Sequence, residues 1–342
     1  MPRRYRVGIV GCGRIASLYE ADQRAKRYFS ALTHASAYTQ HSRVEMVAGC
    51  DVDPRRLAAF GDQWGVKSLY SDVLEMLERE NIDILSICTQ VESHLPIIEM
   101  AASRVGLIFC EKPLALSLGE VERAGELCWD QGSKLAVNLF RQFDPSHREV
   151  ASLVQEGDLG RIQSVHCYYG KGLLNIGSHL VGVLVDILGE PIAVQALASV
   201  PSSDYYEESI DFSAEFPHGV RCVAQAVDFA HFRLFELDLV GETGRIVISD
   251  EGLRIRRYRV APNRAETGYN ELREMRPAPK ATVGESLYWA VDELVRSLDE
   301  GREPRSSGAF YTKVQRVLDS LRESAGHGGL RIRIAAKPEV VI

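Results

Sequence analysis

No apolar run in the 342-residue sequence comes near the ~18–20 residues that cross a bilayer. The longest candidate, Leu180 to Leu188, is interrupted by Gly182 and Asp186, so no membrane partner is expected. The seven cysteines (Cys12, Cys50, Cys88, Cys110, Cys128, Cys167, Cys222) are scattered and form no CxxC pair. An odd, dispersed set argues against a disulfide framework and for a reducing cytoplasm. Without ligand spacing, no metal is expected either. A basic excess is also missing. Lys and Arg number 40 against 47 Asp and Glu, for a formal charge of −7, whereas nucleic-acid binding draws on a basic surface. After Arg3 and Arg4, only Val7 to Val10 precede Gly11, which is shorter than the ~7–15 apolar residues of a signal peptide. There is no internal repeat and no low-complexity tract.

What is present is ordinary for a folded chain: 45% hydrophobic and 25% charged residues. The length predicts about two domains. In the first third, short apolar runs (Tyr5 to Val10, Val44 to Cys50, Ile84 to Cys88, Val105 to Cys110, Leu135 to Leu139) alternate with helix signals. Asp53-Pro54, Ser71-Asp72 and Ser117 are N-cap signals ahead of helically spaced apolar residues. Strand–helix alternation of this kind predicts a parallel sheet covered on both faces. From about Arg161 strand patterns follow one another. Ile210, Phe212, Ala214 and Phe216 alternate with polar residues, and further strands centre on Val223, Phe235 and Arg245 to Ser249. These predict a largely antiparallel sheet with helices on one face. One helix, Ser178 to Leu188, interrupts it, and two more (Gly284 to Leu298 and Ala309 to Ser324) close the chain. Residues 261–281 are polar and proline-containing and read as a surface loop.

Gly11, Gly13 and Ala16 form G-x-G-x-x-A directly after the first strand, and a helix is expected next. The first glycine makes the turn, the second lets backbone approach a pyrophosphate, and the small third residue permits close packing. The phosphate would face the exposed N–H groups of Cys12, Gly13, Arg14 and Ile15. The fold class is therefore α/β plus α+β. A Rossmann dinucleotide-binding domain spans 1–140 and a sheet domain spans 141–342, with the last helices able to return to the first domain. Asp51, at the end of the second strand, is the candidate ribose ligand; the alternative is a simple loop cap. It follows Gly11 by 40 residues, against the usual ~20, so residues 17–33 read as a polar insertion carrying Asp22, Arg24, Lys26 and Arg27. A carboxylate at 51 repels a 2′-phosphate and favours NAD. Nearby Arg55 and Arg56 keep NADP as the alternative.

At Glu111-Lys112-Pro113 the sequence meets a family. Phe109 to Ser117, with the glycine turn upstream, resembles the glucose–fructose oxidoreductase / inositol dehydrogenase / MocA family. So do Thr89 to His94, Phe140 to Pro145, Asn175 to His179 and Gly301 to Ser307, in the family's order. Gln90 and Asn175 depart from its common proline and aspartate. The resemblance implies a bound nicotinamide cofactor contacted also by Thr89, His94 and Glu111, and hydride transfer at a ring carbon of a sugar, amino sugar or nucleotide sugar. It also implies that the sheet domain, 141–342, serves substrate binding and oligomerisation, in a homodimer or homotetramer. The family includes nucleotide-bound sensors as well, and the two departures favour that rival.

Oxidising a secondary alcohol requires a group that takes the hydroxyl proton and stabilises the developing alkoxide. Lys112 lies just past an apolar strand, where parallel sheets place ligands, and is the expected principal acid–base residue. His179 is the second catalytic or substrate-binding candidate. Asn175 hydrogen-bonds a hydroxyl but takes up no proton; its alternative role is a helix cap. Arg141 is a substrate ligand or the partner of Asp144 or Glu149. Tyr168 and Lys171 precede the Asn175 segment and are candidates for an anionic group on the substrate.

Overall fold

The computed structural model describes residues 3–21, 25–200 and 207–334. Asp22 and Arg24 of the insertion lie outside them. Two compact units are present: Met1–Asp144 with Gly284–Thr312, and Pro145–Val283 with Lys313–Ile342.

The first unit is built on six parallel strands: β1 (Tyr5–Val10), β2 (Val44–Cys50), β3 (Ser68–Tyr70), β4 (Ile84–Ile87), β5 (Leu107–Cys110) and β6 (Lys134–Val137), in the order β3-β2-β1-β4-β5-β6. This is a Rossmann sheet, and the order reverses between β1 and β4, where such sheets bind ligands. Every residue of β4 and β5 is buried, as the continuous apolar runs require of strands covered on both faces. Between them run α1 (His34–Gln40), α2 (Pro54–Trp64), α3 (Val73–Arg79), α4 (His94–Ala101) and α5 (Leu118–Asp130). The expected caps form: Asp53, Asp72 and Ser117 accept from Arg55, Glu75 and Glu120 N–H respectively.

The later helix α8 (Ser286–Glu300) puts Ala290, Val291, Leu294 and Val295 into the same core as Ala35, Ala37 and Tyr38 of α1. Val137 N–H donates to Ser306 C=O at 2.8 Å, so the segment before α9 (Gly308–Gly326) is tied to β6. At roughly 1.5–3 kcal/mol per fully buried large apolar side chain, this returning helix is a substantial part of the unit's stability.

Two expectations are corrected here. No regular helix follows the glycine motif. Residues 14–17 form a turn closed by Ser17 N–H to Gly13 C=O at 3.0 Å and Tyr19 N–H to Arg14 C=O at 3.0 Å, and a 3₁₀ turn, Leu18–Ala21, comes next. The insertion intervenes, so the helix that normally continues the motif begins only at His34. It is stitched back by His34 and Ala35 N–H to Ile15 and Ala16 C=O. Lys26 and Arg27 lie in a second 3₁₀ turn, Ala25–Arg27.

The second unit begins with α6 (Pro145–Gln155) and carries a nine-stranded sheet. Its strands are β7 (Ile162–Gly170), β8 (Ala193–Val200), β9 (Ser209–Glu215), β10 (Arg221–Val227), β11 (Glu236–Gly241), β12 (Gly244–Ser249), β13 (Arg254–Pro262), β14 (Asn270–Glu274) and β15 (Ile332–Arg333). The order is β14-β13-β12-β11-β7-β10-β9-β8-β15, antiparallel throughout except for β7 beside β10. In β9, Ile210, Phe212 and Ala214 are buried while Asp211, Ser213 and Glu215 are half-buried, the alternation read from sequence. The helix α7 (Ser178–Leu188) buries both its apolar residues and His179. The second correction lies at 261–281, which is not all loop. Residues 270–274 pair with β13 as an edge strand, held by backbone bonds that a largely polar stretch makes as readily as an apolar one.

Candidate active site

In the first unit the glycine motif forms an open cradle at the end of β1. Gly11 has φ +84°, and a Cβ there would lie 2.8 Å from the Cys88 carbonyl oxygen, so only glycine fits. At Gly13 a Cβ would meet nothing within 4 Å; the space it faces belongs to no protein atom. The backbone N–H groups of Gly13, Arg14, Ile15 and Ala16 have no acceptor among the described residues. Successive unsatisfied N–H groups on an open concavity bind an anion. The Cys12 N–H is used otherwise, donating to Asp51 Oδ2 at 2.7 Å. Burial, then the Asp51 charge, pushes the Cys12 thiol up to about 12, so it stays neutral. The Arg14 side chain is stacked on Tyr19, with 4.2 Å from the guanidinium carbon to the ring centre.

Asp51 sits just beyond β2. Its Oδ1 accepts from Asp53 N–H at 2.8 Å while Oδ2 holds Cys12. The carboxylate is thereby fixed at the rim of the cradle. This places an acceptor where a dinucleotide's ribose hydroxyls are held in Rossmann sheets. The residues present fit a pyrophosphate and a ribose.

Lys112 follows Cys110 of β5 by two residues, is half-buried, and precedes a cis peptide bond to Pro113. Glu111, assigned to the cofactor from sequence, turns inward instead. Its Oε1 accepts from His34 Nε2 at 2.8 Å and Asn138 Nδ2 at 2.6 Å, and its Oε2 from Lys112 N–H at 3.2 Å. Burial pushes this carboxyl up, but the His34 and Asn138 hydrogen bonds with the His34 and Lys112 charges outweigh it and hold it below the usual value. His94 is also buried. Its Nδ1 lies 3.1 Å from Pro113 O and 3.2 Å from Leu114 O, and its Nε2 3.2 Å from Thr89 O. It thus binds the loop after β4 to the backbone after Lys112 rather than presenting its ring to a ligand. The half-buried Thr89 accepts from Ser93 Oγ at 2.7 Å. Arg141 is buried, with its guanidinium carbon 4.6 Å from the Phe140 ring centre.

In the second unit, a π-helix, Gly172–Gly177, runs directly into α7. Lys171 precedes it with φ 66°, a backbone conformation rarely adopted by a residue with a side chain. Glu207 caps this turn, accepting from Leu174 N–H at 2.8 Å and Asn175 N–H at 2.9 Å. Asn175 therefore sits inside the π-turn and is not its cap. His179 is four positions on and buried. π-Turns of this kind cluster at functional sites. Lys171, Asn175 and His179 are thus gathered on one continuous helical segment, and Tyr168 is not with them. On β7 it lies on the face with His166, their ring centres 4.7 Å apart. Tyr169 points to the other face and touches the π-turn, where a Cβ on Gly177 would lie 3.1 Å from its Cε2. Strand alternation separates the two tyrosines.

His34, Asn138 and Glu207 went unnoticed in the sequence, where nothing distinguishes a lone buried histidine or a distant cap. Among the described residues no group of three or more His, Cys, Asp or Glu is arranged to hold a metal ion, and no helix is long and apolar enough to cross a membrane.

Fold and cradle together define a dinucleotide-binding unit of the Rossmann type. Residues 5–139 match the oxidoreductase family with an NAD-binding Rossmann fold. That segment matches the family resembled by the Glu111-Lys112-Pro113 motif, and NAD is the cofactor of that fold. The chain is 29% identical over 351 residues to a D-apiose dehydrogenase of Paraburkholderia graminis, covering 95% of this chain and 89% of that protein. It is 23% identical over 323 residues to a D-apiose dehydrogenase of Rhizobium rhizogenes, covering 88% and 93%. A solved structure, the WlbA dehydrogenase of Bordetella pertussis in complex with NADH and UDP-GlcNAcA, superposes with a TM-score of 0.78 at 21% identity, covering 98% of this chain and all of that one. This last likeness is one of fold. Residues 5–139 are those of an NAD-binding oxidoreductase fold.

Proposed function

We propose that this oxidoreductase interconverts a secondary hydroxyl and a ketone on a ring carbon of a sugar, amino sugar or nucleotide sugar, with Lys112 as its principal acid–base group. The observation that carries the reading is Lys112 itself. It is a half-buried lysine at the carboxyl end of a Rossmann strand, where such sheets bind ligands, in the same sheet whose first strand carries a glycine cradle with four unsatisfied amides. The nicotinamide ring, when bound, supplies or accepts the hydride. Lys112 as an amine takes the hydroxyl proton while the carbon–hydrogen bond breaks; in reduction its ammonium returns that proton to the carbonyl oxygen. The same ammonium stabilises negative charge building on that oxygen. Gly11, Gly13 and the amides of residues 13–15 hold the pyrophosphate, and Asp51 the adenosine ribose. Asn175 and His179 are assigned contacts with substrate hydroxyls, and His179 assists proton transfer. Two relatives named for D-apiose, matched over most of their length, support an aldose as the first substrate to try.

The test is absorbance at 340 nm with NAD and a panel of D-apiose, myo-inositol, aldoses and UDP-sugars. At least one is turned over. Lys112→Ala lowers kcat by about 10³-fold or more, the scale of a general acid–base residue, with the Kd for NADH nearly unchanged. Wild-type turnover in Lys112→Ala overturns the mechanism. Asparagine at 175, in place of an aspartate, favours a second reading, a nucleotide-bound sensor. Tight NADH binding with no turnover of any panel member would support it.

A further inference from the structure

Five polar side chains of the first unit meet behind Lys112, in a region that a parallel sheet normally fills with aliphatics. His34 and Tyr38 come from α1 and Ser86 from β4. Glu111 follows β5, and Asn138 follows β6. Each is at least nine-tenths buried. Tyr38 Oη lies 2.6 Å from Ser86 Oγ, Ser86 Oγ 3.2 Å from His34 Nδ1, and His34 Nε2 2.8 Å from Glu111 Oε1. Asn138 Nδ2 reaches the same carboxylate oxygen at 2.6 Å. The chain ends on the backbone N–H of Lys112, which donates to Glu111 Oε2.

We propose that His34 is a positioning residue of the reaction: acting through Glu111, it holds the Lys112 segment in its working place and keeps a carboxylate beside it. This rests on the reading of Lys112 given above. An ionised carboxylate only accepts hydrogen bonds, so Nε2 of His34 carries the hydrogen. Glu111 is then clamped by donors from α1, from the residue after β6 and from its own neighbour, a geometry that fixes its position in three directions. Stability is a weak reason for such an arrangement. A buried charged pair seldom gains over apolar side chains of the same volume, and the surrounding core (Phe109, Phe143, Ile84) is apolar.

Charge gives a second reason. For Glu111 burial is the largest single influence and favours the neutral acid; the hydrogen bond and charge of His34 are the next largest and oppose it. Removing the imidazole takes away the two largest influences that oppose burial and leaves the Asn138 hydrogen bond and the Lys112 charge against it. The other titratable groups facing Glu111 do not compensate. Cys88 on β4 and Cys110 on β5 are thiols pushed well up by burial and then by Glu111 itself, so both stay neutral. Tyr38 is likewise pushed up by burial. Lys112 is the remaining cation.

The experiment compares His34→Ala and His34→Gln with wild type and Lys112→Ala. At pH 6, His34→Ala shows the infrared carbonyl band of a protonated buried acid, which vanishes when Glu111→Gln is added; wild type and His34→Gln lack the band. This readout needs no substrate. With a sugar that the panel identifies, His34→Ala lowers kcat by about 10²-fold, as for an ångström-scale misplacement. KM and the NADH Kd stay within about threefold. The acid limb of the kcat profile moves to higher pH, and His34→Gln, which keeps an N–H donor, restores both rate and limb. Where His34→Ala fails to fold, His34→Phe fills the space without a donor and carries the same expectations. Absence of the band, or a wild-type kcat with an unmoved acid limb, overturns the positioning role. If Lys112→Ala is inactive while His34→Ala is fully active, that role alone falls. If Lys112→Ala is fully active, both readings fall.

Discussion

Replacing Gly13 with alanine should separate cofactor binding from folding. The added Cβ meets no protein atom within 4 Å, and Gly13 is outside the left-handed region. The substitution costs the apo fold nothing. It trims the freedom of the unfolded chain, a gain of about 0.4–1 kcal/mol. The same methyl projects into the space where a pyrophosphate must approach the backbone. A loss of at least tenfold in NADH affinity follows, or about 1.4 kcal/mol. Gly11→Ala is the internal contrast. Its φ of +84° is strained for any side chain, and its Cβ would strike the Cys88 carbonyl at 2.8 Å. The backbone strain alone costs about 1–3 kcal/mol, which at this chain length lowers the melting temperature by several degrees, at about 2–4 °C per kcal/mol. Thermal unfolding of the apo proteins and fluorescence titration with NADH measure the two effects. Gly13→Ala melts at or slightly above wild type yet binds NADH poorly; Gly11→Ala loses both. Wild-type NADH affinity in Gly13→Ala would refute the cradle.

Three further outcomes are expected. Wild type has a lower KM for NADH than for NADPH, and Asp51→Ser narrows that gap; it also destabilises by about 1–3 kcal/mol, because the amides of Cys12 and Asp53 lose their acceptor. Because the folded protein holds Glu111 below the usual carboxyl value of 4.5, its ionisation contributes stability that is present above the unfolded value and lost as pH falls through the folded one; the stability gap between wild type and Glu111→Gln is therefore level near neutrality and narrows in chemical denaturation below pH 4.5. Glu207→Ala frees the N–H groups of Leu174 and Asn175, costs about 1 kcal/mol as a lost cap does, and raises the sugar KM with the NADH Kd unchanged.

The parallel sheet was legible because strands buried on both faces must be continuously apolar, as Ile84 to Ile87 and Leu107 to Cys110 are. The caps at Asp53, Asp72 and Ser117 were legible because each acts on an amide two or three residues away. What the sequence hid is long-range or backbone-driven. Glu111 meets His34 across 77 positions, and Glu207 caps Asn175 across 32; no local pattern records either. The missing helix after Gly13 reflects an insertion that displaces α1 while the motif itself is intact. Strand β14 escaped notice because an edge strand with a single large apolar residue, Leu272, has no alternation to read. The candidate residues Lys112, Asp51 and Asn175 were found by motif, but motif alone pointed Glu111 and His94 toward the ligand, whereas both are buried against protein partners.

The most direct measurement is a crystal structure of the chain with NADH and a turned-over sugar. The Lys112 ammonium is expected within hydrogen-bonding distance of the sugar oxygen whose carbon faces C4 of the nicotinamide, with the pyrophosphate on the amides of residues 13–15. A Lys112 side chain directed into solvent, away from both coenzyme and sugar, would contradict it.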